Sequence, residues 1–251
     1  MYNLNYLLIT IGLAVLPSLV WFFFYLKEDA HPEPRYWLFI IFLTGAALAP
    51  LVIFLEMTIS RFFSFASILY NLEGFFLIII IAPLVEEIAK YGVTHLALNK
   101  NPVLDEPVDG MIYVITAALG FAAIENVFAI FSFVPPGLPG YFGATLNFIS
   151  LRFITAVALH GLASGIVGYF FAKYYFIKRN VGLIFVGLVS AIALHGAYNF
   201  LIVRNDSAIF LILTGILLGG ATALVIHLFN RLKHYTAYQQ ASIDEVVENK
   251  I

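Results

Sequence analysis

The chain has 251 residues, of which 62% are hydrophobic and 11% charged, and its formal net charge is −2. Soluble domains carry roughly 45–50% apolar and about 25% charged residues, so this composition excludes an ordinary soluble globular protein. The absence of a basic stripe argues against a nucleic-acid partner, and the absence of cysteine excludes disulfides, thiolate metal sites and a cysteine nucleophile.

Seven mostly apolar stretches follow one another along the chain, and each has the length of about 20 residues that crosses the hydrocarbon core of a bilayer. No Lys or Arg precedes the first stretch, which is also longer than a signal-peptide core, so we expect it to be an uncleaved span. The sequence therefore predicts an all-α, polytopic transmembrane helix bundle of about seven spans, within a range of six to eight. The predicted spans are residues 4–26, 36–56, 75–98, 110–134, 145–172, 181–203 and 208–230.

Most basic residues lie in alternate loops, and this asymmetry predicts an orientation. Lys and Arg are enriched in cytoplasmic loops, and one set of loops holds nine of them while the opposite set holds only Arg61 and Arg204. We therefore expect the N-terminus outside and the C-terminus in the cytoplasm. The nine are Lys27, Arg35, Lys100, Lys173, Lys178, Arg179, Arg231, Lys233 and Lys250.

The third predicted span carries Glu86, Glu87 and Lys90 about halfway along an apolar run. Each charge at the centre of a span costs about 2.5–3.5 kcal/mol, so the three cost roughly 9 kcal/mol. The Leu, Ile, Val and Phe residues of the span return only about 5–6 kcal/mol. Because this helix would insert poorly alone, we expect its polar face to meet other polar helices.

Polar residues recur in the next three spans, so four consecutive helices are expected to face one another. Glu86 and Lys90 are four residues apart, as are His195 and Asn199, and this spacing places both members of each pair on one helical face. At about 1.5 Å per residue, the polar groups overlap in depth within the middle to outer half of the bilayer, which predicts a shared site that opens outward. The further polar residues are Glu125, Asn126, Arg152 and His160.

Some of these residues, taken one at a time, can be explained by a purely structural role. The Glu86–Lys90 pair could be an ion pair that specifies packing, and a single intramembrane histidine is more often a helix–helix hydrogen bond than a catalyst. Arg152 lies near the outer end of its span, and we interpret it as a side chain that extends to the interface. Three glutamates, two histidines and an asparagine on four adjacent spans are more than structure alone needs, and this combination favours a catalytic site.

The order of these motifs resembles that of the PrsW family of intramembrane proteases, a distant relative of the CAAX-type prenyl endopeptidases. Glu125 stands where the CAAX-type pattern has histidine, and this favours the PrsW family. The resemblance covers residues 75–203, and the first, second and seventh spans carry no matching motif. The motifs are Glu86-Glu87-x-x-Lys90, Phe121-x-x-x-Glu125-Asn126, His160 and His195-x-x-x-Asn199.

The resemblance implies an intramembrane endopeptidase of the bacterial inner membrane. PrsW-type proteins are similar to site-one proteases that cut membrane-bound anti-sigma factors from the outside. The implied partners are therefore a single-span membrane protein and the surrounding lipid. The implied organisation is two N-terminal transmembrane helices (1–74), a four-helix catalytic core (75–203), a last transmembrane helix (204–230) and a cytoplasmic tail (231–251).

The expected mechanism is activation of a water molecule without a covalent intermediate, because no Gly-x-Ser-x-Gly pattern is present. Either Glu86 or Glu87 is expected to be the general base, and Asn199 to donate a hydrogen bond to the oxyanion. Glu125 is either a further ligand or a proton carrier, and the histidines orient the water or bind a metal. The predicted catalytic residues are Glu86, Glu87, Glu125, His160, His195 and Asn199.

The helical geometry bears on which of the two adjacent glutamates is the base. Adjacent helical residues point about 100° apart, so Glu86 and Glu87 face one water only if the helix is distorted. Pro83 is positioned to supply such a distortion. Because Glu86 shares its helical face with Lys90, we expect Glu86 to be the base.

The charges leave the question of a metal open. Three carboxylates face Lys90 and, depending on its orientation, Arg152, so one or two negative charges are uncompensated. Either a protonated glutamate or a divalent cation such as zinc would balance them. Catalytic zinc commonly takes three protein ligands and a water, but no His-Glu-x-x-His motif is present. The candidate metal ligands are Glu86, Glu125, His160 and His195.

Two other classes of function remain as alternatives. A proton-coupled transporter also uses intramembrane Glu and His residues. Transporters often repeat polar sites in both halves of the chain, whereas these residues are confined to spans three to six. A non-enzymatic scaffold has no need for so many polar groups in the membrane.

Overall fold

The computed structural model describes residues 4–29, 31–65, 73–135, 137–204 and 207–248. Within these ranges the chain forms seven helices and no β-strand, which confirms the all-α prediction. Lys250 and parts of all four predicted segments, including Pro136 of the segment 75–203, lie outside the described residues. The helices are α1 (Leu4–Leu26), α2 (Arg35–Phe65), α3 (73–98), α4 (Pro107–Phe133), α5 (Tyr141–Ile177), α6 (Val181–Val203) and α7 (Ala208–Glu248).

Six of these helices are long and apolar enough to cross a membrane. The exception is α3, which is helical over the whole predicted span but contains Glu86, Glu87 and Lys90. The seven helices match the seven predicted spans, and α3 is the one that depends on its neighbours to bury its charges. The orientation of the termini stays a prediction.

The last helix continues past residue 230 to Glu248. Leu232 is buried, and Lys233 Nζ donates a hydrogen bond to Glu28 Oε2 at 2.6 Å. The first residues of the predicted tail therefore continue α7 and contact the loop that follows α1.

The centre of the bundle is formed by α4 and α5. Helix α4 packs against α1, α2 and α5, and it is buried without interruption from Pro107 to Ala123. Its approach to α2 requires glycine, because a Cβ at Gly120 would lie 2.0 Å from the carbonyl oxygen of Phe42. This packing places Glu125, just beyond the buried stretch, beside Arg152 and His160 of α5.

Helices α3 and α5 each contain a π-helical turn shortly before their polar residues, at Leu77–Ile81 and Phe153–Val157. Pro83 explains the first turn, since proline lacks an N–H and crowds the carbonyl four residues earlier. The Ala82 N–H bonds instead to the carbonyl of Leu77. The distortion expected near Pro83 is thus present, and π turns of this kind are frequent at functional sites.

Candidate active site

The Lys90 ammonium group lies at the centre of a buried polar cluster to which three helices contribute. It donates to Glu87 Oε1 at 2.6 Å and to Glu86 Oε2 at 3.4 Å, and it lies 3.0 Å from Nδ1 of His160 on α5. From α6, His195 Nδ1 lies 2.8 Å from the same Glu87 oxygen. All five side chains are buried. The structure thus brings together, in one enclosed cluster, polar groups that lie more than 100 residues apart in the sequence.

The two adjacent glutamates differ in exposure and in partners. The side chain of Glu87 is 0% exposed and that of Glu86 is 10% exposed. Lys90 is closer to Glu87 than to Glu86, although the sequence pattern favoured Glu86, because residues three apart on a helix are neighbours as much as residues four apart. Of the two carboxylates, Glu86 is therefore the one that a water molecule or a substrate can reach.

Helix α4 holds His160 from the side opposite Lys90. Glu125 Oε2 lies 2.6 Å from His160 Nε2, and Arg152 Nη2 donates to Glu125 Oε1 at 3.0 Å. Arg152 Nε also donates to Asn126 Oδ1 at 2.6 Å. The interpretation of Arg152 as a side chain that extends to the interface is therefore wrong. Hydrogen bonds to the Glu125 carboxylate and to the Asn126 side-chain oxygen hold the guanidinium group inside the bundle instead.

Asn199 has a backbone partner in the π turn of α3. Its Nδ2 donates to the carbonyl of Ile78 at 2.9 Å, and that carbonyl has lost its α-helical partner because Ala82 bonds to a different oxygen. Helix α6 can approach the turn this closely because residue 196 is glycine. A Cβ at this position would lie 2.4 Å from the carbonyl oxygen of Ile79. Asn199 thus holds α6 against the distorted segment that precedes the glutamates.

The cluster offers a set of ligand atoms for a metal ion. One donor atom from each of four side chains lies within 4.8 Å of the others, and the four are Glu86, Glu87, His160 and His195. Glu87 Oε2 is a buried acceptor that has no hydrogen-bond partner among the described residues, and a cation would satisfy it. Two carboxylates and two imidazoles are ligands that zinc accepts. The candidate set from the sequence contained Glu125 in place of Glu87.

One further intramembrane carboxylate, Glu56 of α2, was not singled out from the sequence. Its Oε1 is buried and has no hydrogen-bond partner in the described part of the chain. It lines a cavity of about 440 Å³ between α2 and the first half of α3. Glu56 is the last residue of the predicted second span, where a charged residue is ordinary, so no feature of the sequence distinguishes it.

The chain is similar to proteins of one family. The model of that family, described as the PrsW family intramembrane metalloprotease, matches residues 33–229 and so includes the second and seventh helices, for which the sequence motifs gave no match. Protease PrsW of Clostridioides difficile is 31% identical over 194 residues, which are 76% of this chain and 77% of that protein.

Two more relatives give the same result. Protease PrsW of Oceanobacillus iheyensis is 29% identical over 205 residues, which are 80% of this chain and 86% of that protein. Protease PrsW of Bacillus subtilis is 25% identical over 195 residues, which are 76% of this chain and 81% of that protein. No solved structure matches the chain.

Proposed function

Because the chain belongs to the PrsW family of intramembrane metalloproteases, it is a peptide hydrolase of a bacterial membrane, and we propose that it cuts a single-span membrane protein in the outer half of the bilayer. The observation that carries this proposal is the buried group of Glu86, Glu87, His160 and His195, whose donor atoms lie within 4.8 Å of one another. The family match also favours a protease over the proton-coupled transporter that the intramembrane charges alone would allow.

Glu86 is the general base of the proposed reaction. Its Oε2 lies 3.4 Å from Lys90 Nζ and 3.8 Å from His160 Nδ1, and it is the only one of the adjacent glutamates with exposed surface. It takes a proton from the attacking water and returns it to the leaving amine. Proton transfer by a positioned side chain contributes about 10²–10⁴-fold to the rate.

Zinc is the metal that we propose for the site. When bound, a zinc ion polarises the scissile carbonyl and increases the acidity of water. His195 donates from Nδ1 to Glu87, which leaves the Nε2 lone pair free for a ligand bond. Glu125 accepts from His160 Nε2 and so directs His160 Nδ1 toward the group, where Lys90 Nζ now lies 3.0 Å from it and a zinc ion would replace that contact. A carboxylate behind a histidine is the usual arrangement around metal-binding imidazoles, so we propose that Glu125 orients His160 rather than binding the metal.

Asn199 is a positioning residue in this proposal. One of its N–H groups is used by the Ile78 carbonyl, so its main effect is to fix the π turn that precedes Glu86. Lys90 has a related role, since it balances the charge of Glu86 and Glu87 and holds both carboxylates in one cluster.

The cavity between α2 and α3 is the proposed route of the substrate. It is lined by Ile78, Ile81 and Ala82, and Ala82 precedes Glu86 by four residues on the same helix. The lining is mostly apolar, with Glu56 and Arg61 as charged members, and a mostly apolar lining suits a transmembrane segment. The predicted orientation places this half of α3 toward the outside. These two features support cleavage from the outer side, and the family resemblance extends the substrate to an anti-sigma factor that is cut at site one.

The experiment is cleavage of a single-span substrate by the purified protein, with and without a chelator. We expect the chelator to stop cleavage and added zinc to restore it, with the cut mapped by mass spectrometry to the outer half of the span. Cleavage that continues in full after metal removal would contradict the metal, and a cut at the cytoplasmic end would contradict the proposed direction of access.

A further inference from the structure

One carboxylate of the second helix lies on the proposed route of the substrate, outside the buried polar cluster. Helices α2 and α3 pack closely around Val52, which belongs to a small core that Val85 of α3 joins. The two helices meet again where the ring centroids of Phe63 and Phe76 are 6.3 Å apart. Glu56 lies between these two contacts, one turn after Val52, and lines the cavity of about 440 Å³ found there. The opening between the two helices thus has a carboxylate in its wall.

The contacts of Glu56 leave one of its oxygens available. Its Oε1 is buried and has no hydrogen-bond partner in the described part of the chain. The ion pairs of Lys90 and Arg152 are with other glutamates and do not include it. The charges of Glu86, Glu125 and Lys90 are nevertheless close enough to act on Glu56, so it lies beside the buried polar cluster. Buried acceptors are almost always paired with a donor, and this one has none within the described residues.

The rest of the cavity wall does not supply an equivalent group. Among the described residues that line the cavity, Glu56 is the only acid, and most of the others are apolar. Arg61 also lines it, but it lies five residues further on, which is about 7.5 Å along the axis of α2. Met57, another lining residue, is 52% exposed, so the cavity is open at the surface of the bundle. A segment that enters from the side would therefore meet one buried acceptor at one depth.

We propose that Glu56 is a specificity-determining residue, which binds a hydrogen-bond-donating side chain in the transmembrane segment of the substrate. This inference rests on the proposed function, in which the cavity is the route of the substrate. Before a substrate enters, water can donate to Oε1. An apolar substrate side chain displaces that water without replacing its hydrogen bond, whereas a donor replaces it. Sites that hydrogen-bond a substrate group discriminate strongly against analogues that lack the group.

This chemistry would select few transmembrane segments. Polar side chains are rare within spans because they are costly in the hydrocarbon region. A span with a donor at the depth of Glu56 therefore differs from most other spans in the same membrane. The carboxylate would recognise the span by this one group, while the apolar wall accepts the remaining side chains without distinguishing them.

The test uses synthetic single-span peptides of Leu and Ala that differ only in one guest residue, which is Gln, Lys or Met. The guest residue is moved stepwise through the outer half of the span, and an activated disulfide is placed beside it. Because the chain has no cysteine, Met57→Cys provides a single thiol in the cavity wall that captures a bound peptide. Capture is measured against peptide concentration in full-length protein that also carries Glu86→Gln, which keeps the peptide intact. Cleavage is measured separately, without these two changes.

Two substitutions of Glu56 and one control are compared in this assay. Glu56→Leu removes the acceptor, and Glu56→Gln keeps an acceptor oxygen without the charge. The matched control is Glu106→Gln, which removes a carboxylate before the first turn of α4, outside the cavity. The thermal unfolding midpoint is recorded for each variant. Glu56→Leu should not lower it, because no hydrogen bond to Oε1 is lost.

At one depth of the guest residue, we expect the Gln and Lys peptides to be captured at about 10–100-fold lower concentration than the Met peptide, the usual effect of a hydrogen bond to a charged group. Glu56→Leu should abolish this preference. Glu56→Gln should keep it for the Gln peptide and reduce it for the Lys peptide, and Glu106→Gln should behave as the wild type does.

The proposal is overturned if the wild-type cavity captures the Met peptide as well as the others, if Glu56→Leu keeps the preference, or if no peptide is captured. These outcomes are distinct from failure of the protease proposal. A preference that depends on Glu56, in a protein that cuts none of the peptides, would support the binding role and contradict the proposed reaction. Cleavage without any preference for a donor would contradict the binding role alone.

Discussion

Two groups of acids, one inside the bundle and one where the loop between α1 and α2 meets the loop between α3 and α4, are balanced by different kinds of partner. In the active-site cluster, Glu86, Glu87 and Glu125 have Lys90 and Arg152 as partners within the bundle. In the loop group, Glu33, Asp105 and Asp109 have backbone N–H groups and a tyrosine but no Lys or Arg partner among the described residues. The two groups differ in their partners because the first lies inside the membrane-spanning bundle and the second lies beside a cavity that opens to water.

A carboxylate inside the membrane is not reached by ions from solution, so the positive charge that balances it must come from a side chain of the protein. An unpaired charge there costs several kcal/mol, which makes Lys90 a requirement for the fold as well as for the site. A carboxylate group beside a cavity that opens to water is within reach of solvent and has no such requirement. We therefore expect that loss of a buried Lys or Arg partner lowers the free energy of unfolding more than loss of a neutral hydrogen-bond donor. Substitutions in the two groups test this order.

The largest effect is expected for Lys90→Met, which gives the active-site cluster the same lack of a cation as the loop group. We expect a loss of about 3–5 kcal/mol in the free energy of unfolding, together with loss of cleavage, because Glu87 is left as a buried unpaired charge. Denaturation in detergent measures the first and the substrate assay the second.

Lys233→Met is the matched control for this change. Its ion pair with Glu28 has the same length of 2.6 Å as that of Lys90 with Glu87, but its side chains are 37% and 25% exposed. It should cost at most about 1 kcal/mol, as exposed pairs do. Equal losses in the two variants would remove burial as the reason for the difference.

A smaller loss is expected for Arg152→Leu. Arg152 and Glu125 are partly exposed, so water can replace some of the lost contacts, and we expect about 1.5–3 kcal/mol, the usual value for hydrogen bonds to charged groups. Cleavage should also fall, since Glu125 no longer holds His160 in place, and Arg152→Lys should restore part of it. A fully stable and active Arg152→Leu variant would restore the interpretation of Arg152 as an interfacial side chain.

The smallest effect is expected for Tyr113→Phe in the loop group. The change removes the hydroxyl that donates to Glu33, but water from the neighbouring cavity can take its place, so we expect a loss of about 1 kcal/mol. Cleavage by the folded protein should be unchanged, because Tyr113 touches none of the active-site cluster. A loss of cleavage without a loss of stability would show that the two groups are coupled.

The sequence predicted that the polar residues of four helices meet, because insertion energy constrains them. Charges in an apolar span must meet other polar helices, and that argument was sufficient to bring α3, α4, α5 and α6 together. Spacing could not rank Glu86 against Glu87 as the partner of Lys90, since three and four residues are both neighbouring distances on a helix. It also could not place Arg152, whose direction depends on Glu125 and Asn126.

The loop group was not predicted, and the reason is physical. Acidic residues in polar loops are ordinary, and the sequence contains no sign that Glu33 meets Asp109 across more than 70 residues. The hydrogen bond between the Asp109 and Glu33 carboxyl groups becomes visible only when the two loops are placed side by side. Neither hydropathy nor spacing carries that information.

The central claim is that Glu86 performs the chemistry while Glu87 holds the site together. Glu87 is fully enclosed and accepts from both Lys90 and His195, so Glu87→Gln should lower stability and cleavage together. Glu86→Gln keeps the shape of a more exposed side chain, but it removes the ability to take a proton and the negative charge that this side chain offers a metal ion. The two adjacent substitutions should therefore separate chemistry from structure.

The most direct test is the rate at which purified Glu86→Gln cleaves a single-span substrate, measured beside its thermal unfolding midpoint and beside Glu106→Gln as a control. We predict a rate lowered by about 10²–10⁴-fold with an unfolding midpoint close to that of the wild type, and a control that cleaves normally. Cleavage by Glu86→Gln at the wild-type rate would contradict the assignment of Glu86 as the base.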